Sequence, residues 1–143
     1  MTRRRIAIDL DDTLGTAVVD AFDVIGFTLR PGCIELLADL AQHYELVLFT
    51  AAPRRYVEKV FAFTGLGEWF AEQVTADEWP YGLKDPRFAR AEFLVDDLDD
   101  HRRFGIEQGI GSQYIIIPAF GSPDDEREPD RWSRIVRDLL LPR

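Results

Sequence analysis

Acidic side chains stand in two clusters, each just after a short apolar run. Asp9, Asp11 and Asp12 follow Ile6-Ala7-Ile8, and Asp96, Asp97, Asp99 and Asp100 follow Phe93-Leu94-Val95. Thr50 ends a third apolar run, residues 46–49, and Lys84 stands between Thr50 and the second acidic cluster. Brought to one place, these groups have complementary chemistry. Crowded carboxylates repel one another and are costly to bury unpaired. A hard divalent cation relieves that repulsion, and an all-oxygen donor set suits Mg²⁺. Such a cation and Lys84 would accept the negative oxygens of a phosphoryl group, with the Thr50 hydroxyl and nearby turn amides donating hydrogen bonds. A carboxylate facing phosphorus is a nucleophile. A second acid two residues further along can protonate the leaving oxygen and later activate water.

For these residues to converge, the segments between them must build a parallel sheet. Residues 6–8, 46–49, 73–75, 93–95 and 114–117 read as five short strands. Pro31 opens a helix to about Tyr44, with Ile34, Leu37, Leu40, Ala41 and Tyr44 on one face. Pro53 opens a second helix that presents Val57, Val60, Phe61 and Thr64 and stops at Gly65. A third helix runs from about Asp99 to Gln108. The last runs from Arg131 to Leu140, with Trp132, Ile135, Val136, Leu139 and Leu140 as its expected buried side. Residues 17–30 hold two β-rich pieces split near residues 24–26 and read as a small hairpin. Residues 121–130 read as a loop of turn formers and charges.

Strands alternating with helices imply an α/β fold, a single Rossmann-like domain over residues 1–143. It would hold a five-stranded parallel sheet with helices on both faces and a hairpin flap after the first strand. Ligands of such sheets gather at the carboxyl ends of the strands. Both acidic clusters and Thr50 fall there.

Composition bounds the partners. The chain has 143 residues and a formal net charge of −9, which disfavours polynucleotide phosphates as a partner. The arginines at positions 3–5, 54 and 55 read as solvated flanks. One cysteine, Cys33, excludes an intrachain disulfide and reads as a small core or boundary residue. No run approaches the ~20 apolar residues of a membrane helix, and the N-terminus has no signal-peptide pattern, so the expected location is the cytoplasm.

The run IAIDLDDTL (residues 6–14) resembles the first motif of the haloacid dehalogenase superfamily, Asp-x-Asp-x-Thr after an apolar strand. LVLFT (46–50) resembles its second motif, GLKDP (82–86) its lysine motif, and FLVDDLDD (93–100) its fourth. Residues 30–60 are also similar to phosphatases acting on the RNA polymerase C-terminal domain, whereas residues 64–78 look more like the general superfamily pattern. The resemblance implies a Mg²⁺-dependent phosphomonoesterase acting through an aspartyl-phosphate. Asp9 would be nucleophile and metal ligand. Asp11 would be general acid and base, giving the metal only its backbone carbonyl. Thr50 and Lys84 would hold phosphoryl oxygens, and Asp96 would be the acidic metal ligand, with Asp97 and Asp100 in or near the surrounding layer that orients waters. Asp96 and Asp97 both stay open as the direct ligand, and Arg87 and Arg90 stay open as substitutes for Lys84. The segment between Thr13 and Arg30 is too short for a helical cap, so the expectation is a capless member. Its phosphorylated substrate would be either a phosphoprotein that covers the site or a small metabolite enclosed by a second copy of the chain.

Each motif has a plainer reading. Asp11, Asp12 and Thr13 favour turns and caps, Lys84 alone reads as a surface lysine, and the acids at 96–100 suit a helix N-terminus. His43 and His101 lack partners at metal-ligand spacing and read as surface residues. Trp79 and Tyr81 read as packing residues, with a substrate-contacting lip as the sharper alternative. A non-catalytic phosphate- or metal-binding module on the same fold is the competing function, but binding alone does not require both Asp9 and Asp11. A phosphorylation-switched receiver domain would need a different order of acids, Thr and Lys. The acids after Asp96 lack the glycine and glutamate of a calcium-binding loop.

Overall fold

Side-chain alternation along the central strand sets the two faces of the sheet. The computed structural model describes residues 3–143. In β1 (Arg5–Ile8), Ile6 and Ile8 point to one face and Ala7 to the other, all fully or almost fully buried. β4 (Glu45–Phe49) repeats the pattern, with Leu46 and Leu48 opposite Val47 and Phe49. Strands buried on both faces read as unbroken apolar runs, which is why these segments were legible.

Five strands pair in parallel in the order β5-β4-β1-β6-β7, where β5 is Glu72–Val74, β6 is Phe93–Asp96 and β7 is Tyr114–Ile116. The chain builds outward from β1 to β5, then crosses back to place β6 and β7 on the other side. The order therefore reverses beside β1, and the C-terminal ends of β1 and β6 flank that switch point.

On the first face, α1 (Cys33–Ala41), α2 (Arg54–Thr64) and α5 (Arg131–Leu140) bury Leu36, Leu37, Leu40, Val57, Val60, Trp132 and Val136 against the sheet. Each such side chain contributes about 1.5–3 kcal/mol relative to exposure. Leu139 departs from expectation: it is 64% exposed. One helical turn places Trp132, Val136 and Leu140 in line at four-residue spacing, and Leu139 falls outside that stripe. The second face is covered by α3 (Asp99–Glu107) and by an irregular segment carrying Ala89 and Ala91.

Between β1 and α1 stands a separate antiparallel hairpin, β2 (Gly15–Asp20) with β3 (Asp23–Leu29). Its turn lies at Ala21 and Phe22 rather than at residues 24–26. Gly26 pairs opposite Val18, and the register shift between Val18 and Val19 leaves Ile25 as the extra residue. The glycine there marks a bulged strand, not a turn. Gly15 permits close approach of β3, since a Cβ there would lie 2.3 Å from the Thr28 carbonyl oxygen. No helical cap intervenes in this connection.

Residues 121–130 also depart from expectation, because α4 (Pro123–Arg127) forms within them. Ser122 caps it by accepting from the Asp125 N–H, and Pro123 occupies the first turn. Arg5 is no solvated flank: its guanidinium donates to Glu45 (2.8 Å), Glu72 (2.5 Å) and the Ala89 carbonyl (3.0 Å) at the N-terminal end of the sheet. A cleft of about 560 Å³ opens there. It lies at the end of the strands opposite both acidic clusters.

Candidate active site

β1 ends by delivering Asp9, whose N–H still bonds the Val95 carbonyl at 2.9 Å. The chain then doubles back. Asp12 adopts φ 64°, a left-handed conformation that aspartate tolerates better than most residues, and its N–H donates to the Gly15 carbonyl at 2.7 Å. This turn aims the Thr13 hydroxyl at Asp9 Oδ2 (3.0 Å) and Asp97 Oδ1 (3.1 Å). One hydroxyl proton serves only one of these carboxylates at a time.

Lys84 lies across the gap. It is 2% exposed, and its Nζ donates to Asp9 Oδ1 at 2.6 Å and Asp96 Oδ2 at 2.8 Å. Burial opposes its charge, but the carboxylates of Asp9 and Asp96 outweigh burial and hold its pKa above the ordinary lysine value. Burial, then the charge of Asp9, raises the carboxyl pKa of Asp96. Burial, then the hydrogen bond and charge of Asp9, pushes Asp97 up to about 7. One lysine therefore does not neutralise the cluster. Carboxylate oxygens of Asp9, Asp96 and Asp97 lie within 4.8 Å of one another. An all-oxygen, electron-rich and undercompensated set of this kind fits a hard divalent cation.

Thr50, 2% exposed, ends β4. Its Oγ1 accepts from the Ala52 N–H at 3.1 Å, leaving the hydroxyl proton free to be donated. Asp11 is half-buried, and Tyr56 from the first turn of α2 donates a hydrogen bond to its Oδ1. Burial raises the Asp11 carboxyl above the usual range, and the Tyr56 bond opposes that rise. Asp9, Asp11, Thr50, Lys84, Asp96 and Asp97 all line one open cavity of about 290 Å³.

Asp100 is not brought there. It is exposed on the first turn of α3 and lines a separate groove beside Leu83 and Arg103. Helix geometry turns it away, because its neighbour His101 takes the inward position. Arg87 pairs with Asp85 on the surface, and Arg90 reaches toward Glu72. Neither lines the cavity.

Further supporting residues escaped the sequence reading. His101 is not a surface residue: it is 4% exposed, and its Nδ1 accepts from the Lys84 N–H at 3.0 Å. Burial lowers its pKa, so it remains the neutral acceptor this bond requires. Tyr114 donates to the Lys84 carbonyl at 2.7 Å, and burial raises its pKa to about 12, keeping the phenol protonated. Lys84 belongs to no helix or strand, so these two side chains replace a backbone ladder in fixing it. Gly105 makes room for the Tyr114 ring, since a Cβ there would lie 2.0 Å from the ring edge. Gly105→Ala is expected to cost about 1–3 kcal/mol by overpacking, read as a lower urea midpoint at unchanged slope.

Arg30 and Asp125 form the remaining pair. Arg30 is 1% exposed and bonds Asp125 (2.7 Å), the Pro118 carbonyl (2.7 Å) and the Thr13 carbonyl (3.3 Å), with its guanidinium 4.5 Å from the Trp132 ring. It ties the turn after β1 to the exit of β7 and to α4. Arg30→Ala strands the buried Asp125 carboxylate, and we expect a loss of about 3 kcal/mol in urea unfolding.

Compared with solved structures, the chain has the fold of haloacid dehalogenase-like hydrolases. It matches a candidate β-phosphoglucomutase of Thermotoga maritima with TM-score 0.68 at 12% identity, over 96% of this chain and 100% of that one. A haloacid dehalogenase-like family hydrolase of Xanthomonas campestris matches with TM-score 0.62 at 16% identity, over 97% and 96% of the two chains. The fission yeast RNA polymerase II CTD phosphatase Fcp1 matches with TM-score 0.64 at 16% identity, over 94% of this chain and 51% of that one, so this chain spans about half its length. No curated protein sequence is similar enough to match. The class is a haloacid dehalogenase-type phosphatase, shown by a family profile that covers more than half of the chain.

Within that class, the profile of the NLI interacting factor-like phosphatases matches residues 5–90, which carry Asp9, Asp11, Thr50 and Lys84. The chain belongs to that family. Among the described residues no helix is long and apolar enough to cross a membrane.

Proposed function

We propose that this phosphatase is a Mg²⁺-dependent phosphomonoesterase that works through an aspartyl-phosphate on Asp9. The observation carrying this reading is the buried Lys84 ammonium between Asp9 and Asp96, in a carboxylate cluster it does not neutralise. Mg²⁺ would be held by Asp9, Asp96 and the Asp11 backbone carbonyl, with Asp97 beside them, and would supply charge neutralisation for the phosphoryl oxygens.

The residues divide the rest of the work. Lys84 and Thr50 hold phosphoryl oxygens. A carboxylate oxygen of Asp9 bonds to phosphorus as the phosphorus–leaving-oxygen bond breaks, and the electron pair departs with that oxygen. Asp11 gives it a proton. Asp11, now a carboxylate, takes a proton from water as the water oxygen attacks the phosphorus on Asp9. Inorganic phosphate leaves and Asp9 is restored.

The open cavity and the absence of a cap among the described residues favour a substrate large enough to cover the site, and we assign a phosphoprotein. The buried free thiol of Cys33 fits a reducing compartment, and cytoplasmic placement belongs to the same proposal. The test is phosphate release from an aryl phosphate and a phosphopeptide, with chelator and then Mg²⁺ added back. Mg²⁺-restored release from both is expected. Full turnover in excess chelator contradicts the metal assignment, and no release from any phosphorylated compound contradicts the enzyme assignment.

A further inference from the structure

Tyr56 follows Thr50 on α2, and the proposed reaction as described above makes no use of it. Its ring packs against the main core, and its hydroxyl meets the carboxyl of Asp11, a residue from a different strand exit. The Tyr56 side of the contact is held by the start of α2. Pro53 starts α2 directly after the Thr50 turn, and the Tyr56 N–H bonds the Pro53 carbonyl at 3.0 Å. The Arg54 N–H is held by Asp77 at 3.1 Å. The helix start, and with it the phenol, is therefore anchored to the loop that carries Thr50 and to the loop after β5.

We propose that Tyr56 is a positioning residue for proton transfer by Asp11, holding Oδ1 by a hydrogen bond so that Oδ2 carries the proton to the leaving oxygen. The inference rests on the aspartyl-phosphate reading. In the first half-reaction the bond from phosphorus to the leaving oxygen breaks while that from Asp9 to phosphorus forms. The proton on Asp11 Oδ2 passes to the leaving oxygen, and the negative charge left on Asp11 is met by the Tyr56 hydroxyl. A hydrogen bond to an ionised carboxylate is stronger than one to a neutral group. The contact therefore tightens as the proton leaves, which is differential stabilisation of the transition state.

The consequence depends on the leaving group. An alkyl leaving oxygen must be protonated as it departs, whereas a dinitrophenolate departs unaided. Tyr56→Phe keeps the ring and its packing and removes only the hydroxyl. The experiment measures kcat/KM for an alkyl phosphate and for dinitrophenyl phosphate in the parent, Tyr56→Phe and Asp11→Asn, all with Mg²⁺ present. For Tyr56→Phe a loss of about tenfold or more is expected with the alkyl ester and less than about twofold with the dinitrophenyl ester. Equal losses on both esters, or none on either, overturn the proposal. If Asp11→Asn leaves the alkyl ester reaction unchanged, or the parent hydrolyses neither ester, the underlying reading fails instead. A melting curve of Tyr56→Phe that matches the parent's separates loss of the hydroxyl from a folding defect, and recovery of the alkyl-ester rate by refolding alone overturns the proposal.

Discussion

Replacing Asp9 by Asn is expected to reduce phosphate release by at least ~10³-fold, the order expected when a covalent nucleophile is removed, while the protein stays folded. The stability half of this expectation follows from the charges around Asp9. The substitution removes one partner of Lys84, but Asp96 remains at 2.8 Å to balance the ammonium. It also relieves repulsion, because the charge of Asp9 helps raise the carboxyl pKa of both Asp96 and Asp97. The amide oxygen can take the Lys84 contact as a neutral acceptor, with the NH2 donating to the Thr13 hydroxyl, whose own proton then goes to Asp97. Loss and gain roughly cancel, so the urea midpoint should stay close to that of the parent. Phosphate release by Asp9→Asn at parental rates would remove the nucleophile from the account.

Lys84→Ala has the opposite profile, a large loss of stability together with a loss of rate. The side chain is 3% exposed between two carboxylates that are themselves 9% and 1% exposed. Removing one partner of a buried ion pair costs about 3–5 kcal/mol, because the remaining charge is left without compensation. Here two carboxylates lose the same cation. Lys84→Arg is not expected to rescue, since a planar guanidinium needs more room than a compact ammonium in a site this enclosed. Urea unfolding without added Mg²⁺ is the direct check. A Lys84→Ala protein as stable as the parent would mean that Lys84 is not the cluster's counterion.

The fold was legible where burial is symmetric. β1, β4 and β6 are covered on both faces, so they read as unbroken apolar runs, and the acids after β1 and β6, with Thr50 after β4, marked the sheet edge. What the sequence concealed depends on long-range packing. His101 sits five residues past Asp96 on a polar helix with no partner at a telling spacing. Its role appears only when the segment around Lys84, 17 residues earlier, folds over α3. Arg30 pairs with Asp125 across 95 positions, and no local pattern announces a buried guanidinium. α4 was hidden because a five-residue helix among acids and prolines has almost no periodicity. The hairpin turn was misplaced because a glycine signals a turn and a bulge equally well.

The carboxylate cluster itself was half legible. The residue types named its chemistry, and order along the chain named the strand ends. Which acids face one another was not readable, because alternation at the end of a strand and the first turn of a helix decide it. Asp96 and Asp97 turn toward Asp9, while Asp100, three residues further on, faces solvent. Tyr56 was equally silent, since an aromatic at a helix start reads as packing until its hydroxyl is placed.

The central claim is a covalent bond between Asp9 and phosphorus. It is tested by rapid acid quench of the Mg²⁺-loaded protein turning over a phosphorylated substrate, followed by peptide mapping for an acyl-phosphate. Asp11→Asn should prolong the intermediate by slowing water attack. One phosphoryl group on the peptide carrying Asp9, lost on treatment with hydroxylamine, is the expected result. Steady turnover with no phosphoryl group on any peptide, or with one on a residue other than Asp9, would contradict it.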